Sequence, residues 1–410
     1  MLTAEHWPTH SQVASSSDAA LPAYNLLEEL MQGTMPSPIL VADESQLARC
    51  VTALKQTKAL AVDTEFMRTD TFYPILGLIQ VYDGRECWLI DPLAFEDLQP
   101  LVEVLGDPDI TKVFHSCSED LEVLQHVLGC LPFPVYDTQI AAALAGHGFS
   151  KGYAALVSEI LGVHVPKDET RSDWLQRPLS EAQLGYAAAD VFYLLHVYQQ
   201  LSRELEQLQR GQWMDEEMAA LADRAVQRDD LGDYYRKVKG AWRLNQPDLQ
   251  ILKLLCEWRE LEARHCNRPR NRVLPDRTLL DIIARKPAGK AALASVEGLH
   301  PGIMRRYGDR ILELLQEAGN VPQGKLPEPL DAPLPRESKD LGKLLKSVVS
   351  ARADALQLPV EMLARKRDIE ELMRIVGEGD LDLLPPSLAN GWRYQVIGGH
   401  LLRALAETRS

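Results

Sequence analysis

At 410 residues with 46% hydrophobic side chains, the chain is long enough for two or three separate cores and too apolar to be a disordered polypeptide. No apolar run approaches the roughly 20 residues that span a bilayer, and Met1 to Pro38 lacks the basic stretch and apolar core of a secretory signal. The formal net charge of −15 rules out a global attractive field for nucleic acid. The acid is concentrated, however: residues 1–212 hold 12 Lys and Arg against 29 Asp and Glu, and residues 213–410 hold 32 against 30.

Residues 1–37, with Ser15-Ser16-Ser17, read as a flexible extension. Asp43 opens a helical stretch in which Leu47, Cys50, Val51 and Leu54 share one face. Ala59-Leu60-Ala61-Val62 is a buried strand ending in Asp63-Thr64-Glu65. Ile75–Tyr82 and Cys87–Ile90 flank Asp83-Gly84, a hairpin turn. Val113-Phe114 is a short strand, followed by a helix from about Glu119 to Leu128 that Gly129 ends. Val135-Tyr136 is another strand, and Asp137-Thr138 caps the next helix. Helical patterns run on to about Gln209. Antiparallel strands followed by strands alternating with helices describe a mixed α/β sheet with helices on both faces.

A helical connector is expected over 211–244, and a small all-α region over 245–320. Val321–Pro335 has five prolines, and 321–337 reads as a linker. A second helical region, 338–406, echoes the first: Leu274-Pro275-Asp276-Arg277-Thr278-Leu279-Leu280 is matched by Leu358-Pro359-Val360-Glu361-Met362-Leu363. The six cysteines show no CxxC pair or zinc spacing, which suits reduced, largely buried thiols in a cytosolic protein.

The chemistry concentrates in Asp63, Glu65, Asp120, Tyr186 and Asp190. Residues two apart in a strand point to one side, so Asp63 and Glu65 face one spot about 6–7 Å apart. Tyr186 and Asp190, at i and i+4 of a helix, are neighbours about 5–6 Å apart. Carboxylates gathered in one place repel one another unless a cation lies between them, and all-oxygen coordination suits Mg²⁺ or Mn²⁺. Two such ions in a carboxylate nest hydrolyse phosphodiesters.

In this order the residues resemble the tyrosine subclass of the DEDD exonucleases. The words Phe114-His115-Ser116-Cys117-Ser118-Glu119-Asp120-Leu121, Tyr136-Asp137-Thr138-Gln139 and Arg171-Ser172-Asp173-Trp174-Leu175-Gln176-Arg177-Pro178-Leu179 are similar to those of bacterial ribonuclease D, over about residues 38–405. The resemblance implies a ribonuclease H-like exonuclease domain over 38–210, and HRDC modules for the two helical regions. It also implies a cytoplasmic 3′→5′ exoribonuclease, expected as a monomer, that releases nucleoside 5′-monophosphates. Its implied partners are tRNA precursors and other small structured RNAs with single-stranded 3′ ends. Asp63, Glu65, Asp120 and Asp190 would hold two divalent metal ions. A phenol with a pKa near 10 is a poor base at neutral pH, so Tyr186 is assigned to orienting the attacking water. Two competitors are a proofreading DNA 3′→5′ exonuclease, for which no polymerase region follows, and a non-catalytic RNA-binding protein, for which all five site residues are needlessly present.

RNA contacts are expected from several further residues. Phe66 and Met67 could wedge against the terminal base or simply join the core. His115 could contact RNA or cap its strand. Arg264, Arg268, Arg270 and Arg272 form a strip without acid that suits phosphates, against the alternative of a solvated helix end. Lys151, Lys167, Arg171 and the run Arg365-Lys366-Arg367 read as solvated surface.

Overall fold

The computed structural model describes residues 35–166, 169, 172–226 and 231–408. The extension expected over 1–37 thus lies, apart from its last three residues, outside the described residues, as do Lys167 and Arg171. Six strands form one mixed sheet: β1 (Ile39–Val41), β2 (Ala59–Met67), β3 (Ile75–Tyr82), β4 (Cys87–Ile90), β5 (Thr111–Phe114) and β6 (Val135–Asp137), in the order β1-β4-β3-β2-β5-β6. β2 pairs antiparallel with β3 and parallel with β5, so it sits centrally with neighbours on both sides. The edge strand β1, parallel to β4, was not anticipated: three apolar residues behind two prolines carry too short a pattern.

Among the described residues the first seven α-helices are α1 (Glu44–Leu54), α2 (Gln99–Leu105), α3 (Ser118–Leu128), α4 (Thr138–Ala145), α5 (Tyr153–Leu161), α6 (Glu181–Gln207) and α7 (Gly211–Val226). The anticipated stops hold. Asp43 caps α1 through Gln46 N–H, Asp137 caps α4, and Gly129 closes α3 at φ +66°, where a side chain would be strained. The two faces of β2 part the sheet's functions. Leu60, Val62 and Phe66 face a core built with residues of α1, α2 and α3. The opposite face carries Asp63 and Glu65, and there Leu78, Leu89 and Ala187 of α6 pack together.

One strap holds that second face. Trp174, buried against Leu78, Leu89 and Ala187, is kept in place by Arg177. The Arg177 guanidinium grips Asp91 through two bonds of 2.6 Å and donates to the carbonyls of Gly77 (2.7 Å) and Trp174 (2.9 Å). Gly77 occupies the irregularity where Glu65 pairs with Leu78 but Phe66 pairs with Leu76.

The first helical module comprises α8 (Gln246–His265), α9 (Arg270–Val273), α10 (Asp276–Arg285), α11 (Lys290–Leu293) and α12 (Pro301–Gly319), around its own core of Leu249, Leu255, Ile282 and Ile311. The second has α13 (Lys339–Leu356), α14 (Val360–Leu363), α15 (Lys366–Gly377), α16 (Gly391–Arg393) and α17 (Gly399–Glu407), with a π-helical turn over Tyr394–Gly398. Its core is continuous with the exonuclease half: Leu345, Leu363 and Leu401 join Ala142, Leu156 and Leu201 in one cluster. The connector helix α7 is anchored into this junction, since Trp392 donates through its backbone to Glu216 (2.8 Å) and through its indole to Glu217 (2.9 Å).

The internal repeat is real, but its expected register requires correction. In the first module a left-handed Asn267 is followed by Arg268-Pro269, the one-turn helix α9, an extended Leu274 and then α10. In the second, a left-handed Gln357 is followed by Leu358-Pro359, α14, an extended Ala364 and then α15. Pro359 therefore matches Pro269, not Pro275. Matching Leu-Pro words misled because the backbone corner, not the dipeptide, is what repeats.

Adding a methyl at Gly77 would place it 2.7 Å from the Trp174 carbonyl oxygen and 2.9 Å from Trp174 Cβ. Gly77→Ala should therefore lower stability by about 1–3 kcal/mol. Thermal melts of wild type and variant check this, and an unchanged midpoint would show that the strap has room to shift.

Candidate active site

Asp63 and Glu65 project from the middle of β2, and Asp190 reaches the same spot from α6, whose Ser180 capping box fixes where the helix begins. One carboxylate oxygen from each of the three lies within 4.8 Å of the others. Asp120, in the first turn of α3, arrives from the strand next to β2. Its carboxylate accepts the Thr64 hydroxyl and is buried, so it borders the triad without joining it. The approach of α3 is set by Asp137, which accepts from Ser116 N–H (3.1 Å), Cys117 N–H (3.0 Å) and Gln139 N–H (2.8 Å). One carboxylate thereby caps α4 and ties down the left-handed Ser116 just before α3.

The electrostatics are those of crowded acids. Burial, then Asp120, Asp190 and Glu65, push the Asp63 carboxyl well above the usual range. Burial, Asp190 and Asp120 raise Glu65 to about 8. Burial raises Asp120 to about 6 despite the Thr64 bond, and raises Asp190 to about 7 despite a hydrogen bond from the Tyr186 hydroxyl. Tyr186 is half-buried with its ring 6.1 Å from that of Trp174, so the Arg177 strap also seats the tyrosine. Three hard oxygen donors at this spacing, each made reluctant to ionise chiefly by burial, fit a divalent cation such as Mg²⁺ or Mn²⁺.

The carboxylates open onto a cleft of about 320 Å³ lined by Asp63, Tyr186, Asp190, His115, Tyr153 and the apolar Val165, Pro166 and Leu194. His115 spends both ring nitrogens inside the protein, on Thr138 Oγ1 (2.9 Å) and the Lys151 carbonyl (3.0 Å). Burial holds its pKa below the ordinary value; Nε2 donates to the Lys151 carbonyl, and Thr138 Oγ1, the partner of Nδ1, also reaches the Phe114 carbonyl (3.0 Å). Phe66 packs against the core on the far face of β2, and Met67 ends the strand half-buried. Lys151 pairs with Glu159. Of the arginine strip, Arg264 and Arg270 both bond Glu260, whereas Arg268 and Arg272 are exposed, the latter 3.7 Å from Asp70.

Two site neighbours went unnoticed in the sequence. Tyr153 donates its hydroxyl to the Ala189 carbonyl (2.8 Å) at the cleft wall. Gln80, directly opposite Asp63 on β3, is fully buried with neither amide atom bonded among the described residues. A polar residue inside the apolar run Leu78-Ile79-Gln80-Val81 was the available signal for it.

A mixed sheet with an acidic Asp-x-Glu strand, an aspartate after the neighbouring strand and a Tyr-x-x-x-Asp helix defines a 3′→5′ exonuclease of the DEDD type, a class that works with divalent metal ions. The sequence model of the 3′-5′ exonuclease matches residues 38–206, that of the HRDC domain 248–315, and that of the ribonuclease D C-terminal HRDC domain 337–401. Ribonuclease D of Pseudomonas paraeruginosa is 45% identical over 372 residues, 91% of this chain and 98% of that protein. Ribonuclease D of Escherichia coli is 36% identical over 379 residues, 90% of this chain and 98% of that protein. The crystal structure of the E. coli enzyme, described as an exoribonuclease involved in structured RNA processing, superimposes with a TM-score of 0.82 over 90% of this chain and 99% of that one. The chain belongs to the ribonuclease D family, and it is a 3′→5′ exoribonuclease. Among the described residues no helix is long and apolar enough to cross a membrane.

The raised carboxyls carry a definite sign for stability. Their folded pKa values exceed the unfolded ones, so between about pH 4 and 8 the metal-free folded protein binds more protons than the unfolded chain and loses stability as pH rises. His147, raised by Glu204 and Glu159 against the effect of its burial, adds a smaller loss of the same sign. In chelator, the melting midpoint should fall from pH 5.5 to 8, and added Mn²⁺ should raise it more at pH 8 than at 5.5. Asp63→Asn should flatten the slope. A midpoint independent of pH would show that the carboxyls are not crowded.

Proposed function

We propose that this exoribonuclease trims the 3′ ends of tRNA precursors and other small structured RNAs with single-stranded 3′ ends, one nucleoside 5′-monophosphate at a time, as a cytoplasmic monomer. The observation that carries the catalytic part is the convergence of Asp63, Glu65 and Asp190 beside Tyr186, with Asp120 at their border. In this reading those four carboxylates hold two divalent ions, Mg²⁺ or Mn²⁺. Ions in such a nest supply activation of water and neutralisation of the charge that builds on phosphorus and on the leaving 3′ oxygen.

The remaining work belongs to the chain's own side chains. Tyr186 is next to the carboxylates, and its hydroxyl can turn from Asp190 to hold the attacking water in line. Apolar Val165, Pro166 and Leu194 offer the terminal nucleotide a wall without hydrogen-bond preferences, which suits a trimming enzyme indifferent to sequence. Exposed Arg268 and Arg272 are assigned to RNA phosphates upstream of the cleaved bond. Arg264 and Arg270, already bonded to Glu260, have a role inside the protein. The working boundaries are an extension over 1–37, the exonuclease domain over 38–210, a connector over 211–244, and HRDC modules over 245–320 and 338–406 joined by the 321–337 linker.

The test is incubation of a 3′-extended tRNA precursor and a matched DNA oligomer with Mg²⁺ or Mn²⁺. The RNA should lose nucleotides from its 3′ end and the DNA should be spared. Preference for DNA would support a proofreading-type enzyme instead. Asp63→Asn and Asp190→Asn should fold normally and lose several orders of magnitude of activity, because an amide neither holds nor balances the cations. A folded variant within tenfold of wild type would sink the assignment.

Tyr186→Phe removes only the hydroxyl. Turnover should fall on the order of 10–10³-fold while Mn²⁺ affinity survives. Lost metal affinity with unchanged turnover at saturating metal would make the tyrosine structural.

A further inference from the structure

The segment joining β2 to β3 leaves the sheet three residues after Glu65 and is clamped on two sides. On one side is the first helical module. The backbone N–H groups of Phe72 and Tyr73 both donate to Asn267 Oδ1, each at 3.0 Å. Asn267 stands at φ +47°, the left-handed corner that ends α8. The Phe72 ring packs against that module's core, with the guanidiniums of Arg264 and Arg270 over it at 5.6 and 4.8 Å. Both arginines are pinned by the buried Glu260, whose carboxyl they hold below its ordinary range although burial alone would raise it. On the other side is α3. Tyr73 stacks on His126 with ring centroids 3.7 Å apart and planes within 3°, and Arg68 pairs with Glu122.

The first module is thus bonded to a short segment whose root is the strand of Asp63 and Glu65, and whose outer face leans on the helix of Asp120. The corresponding corner of the second module also meets the exonuclease half: the Gln357 carbonyl lies against Gly146, and the neighbouring Leu356 carbonyl accepts from Arg210 (2.5 Å). There, however, a backbone carbonyl makes the approach, and α4 rather than a carboxylate-bearing element receives it. In the first module it is side chains that reach the segment extending the carboxylate strand: Asn267 bonds its backbone, Arg264 and Arg270 cover its Phe72 ring, and Arg272 lies 3.7 Å from its Asp70.

We propose that Asn267 is a positioning residue for the exonuclease reaction. Through it and the Phe72 ring, the first helical module sets the placement of the carboxylate strand relative to α3, a role that rests on the catalytic reading of Asp63, Glu65 and Asp120. Carboxylates that repel one another stay in register only if their supports are stiff, and small misplacements of reacting groups cost large factors in rate. The module then contributes to turnover itself, beyond any grip on RNA.

The substitutions that test this exploit the two properties of Asn267. Asn267→Asp keeps the side-chain acceptor and tolerates the left-handed backbone; Asn267→Gly keeps the backbone freedom and removes the acceptor. On a short single-stranded RNA oligomer, Asn267→Gly should lower kcat on the order of tenfold with KM within about twofold, and should speed amide exchange at Phe72 and Tyr73. Asn267→Asp should restore both. Phe72→Leu, which removes the ring beneath the arginines and keeps an apolar filler, should lower kcat in the same way and serves if the glycine variant does not fold. Faster exchange with unchanged kcat, unchanged exchange, a change in KM alone, or failure of aspartate to rescue would each overturn the proposal. Asp63→Asn, run alongside, separates the two readings: if it kept activity, the catalytic assignment would fall whatever Asn267 does.

Discussion

Like charges brought together out of water are the constraint around which this molecule is built. At the 4.8 Å limit of the Asp63, Glu65 and Asp190 oxygens, and at an effective dielectric of about 20, two unit charges repel by roughly 3–4 kcal/mol. A typical domain has only about 5–15 kcal/mol of net stability, so an ionised, uncompensated cluster would consume much of it. Protonation is one relief, seen in the raised carboxyls, and a divalent cation is the other. Either way the acids must be borne by elements that do not yield. Asp63 and Glu65 are accordingly on a strand bonded on both sides, Asp190 on a helix of 27 residues, and Asp120 in a helix turn anchored through Asp137.

The supports around the cluster are polar and partly or wholly buried. Arg177 uses its planar fork on Asp91 and three carbonyls, which suits a guanidinium and would not suit the point charge of a lysine. Through Trp174 that fork also seats Tyr186. Farther along β5, fully buried Lys112 donates to the carbonyls of Asp107, Ile110 and Phe133, with burial lowering its pKa to about 8. Buried donors of this kind are costly when unpaired, and here each closes a connection that the backbone alone leaves open.

The helical modules are bound to the exonuclease half by different means. The second shares an apolar core with it and donates from Trp392 to Glu216 and Glu217 of α7, whereas the first keeps its own core and meets the β2–β3 segment at Phe72 and Tyr73 through Asn267 and the arginines. The strip of four arginines therefore splits between an internal clamp and an exposed pair. In the second module the residues matching Arg270 and Arg272 are Val360 and Met362, so the repeat kept the corner and changed its chemistry.

The sequence by itself determined what depends on short-range periodicity and local chemistry. Strand alternation put Asp63 and Glu65 on one side, helical spacing paired Tyr186 with Asp190, and the caps at Asp43, Asp137 and Gly129 followed from single-residue preferences. The order of these elements, with the resemblance they carry, was enough for the exonuclease class. Tertiary structure decided the rest. Arg264 meets Glu260 as a local i,i+4 pair, but its seat over Phe72, nearly 200 residues away, is encoded by no local pattern. Thr64 claims Asp120, Gly77 yields to Trp174, and β1 finds β4 for the same reason. Each is a pairing of distant chain segments whose partner is chosen by packing, and packing exists only once the chain has folded.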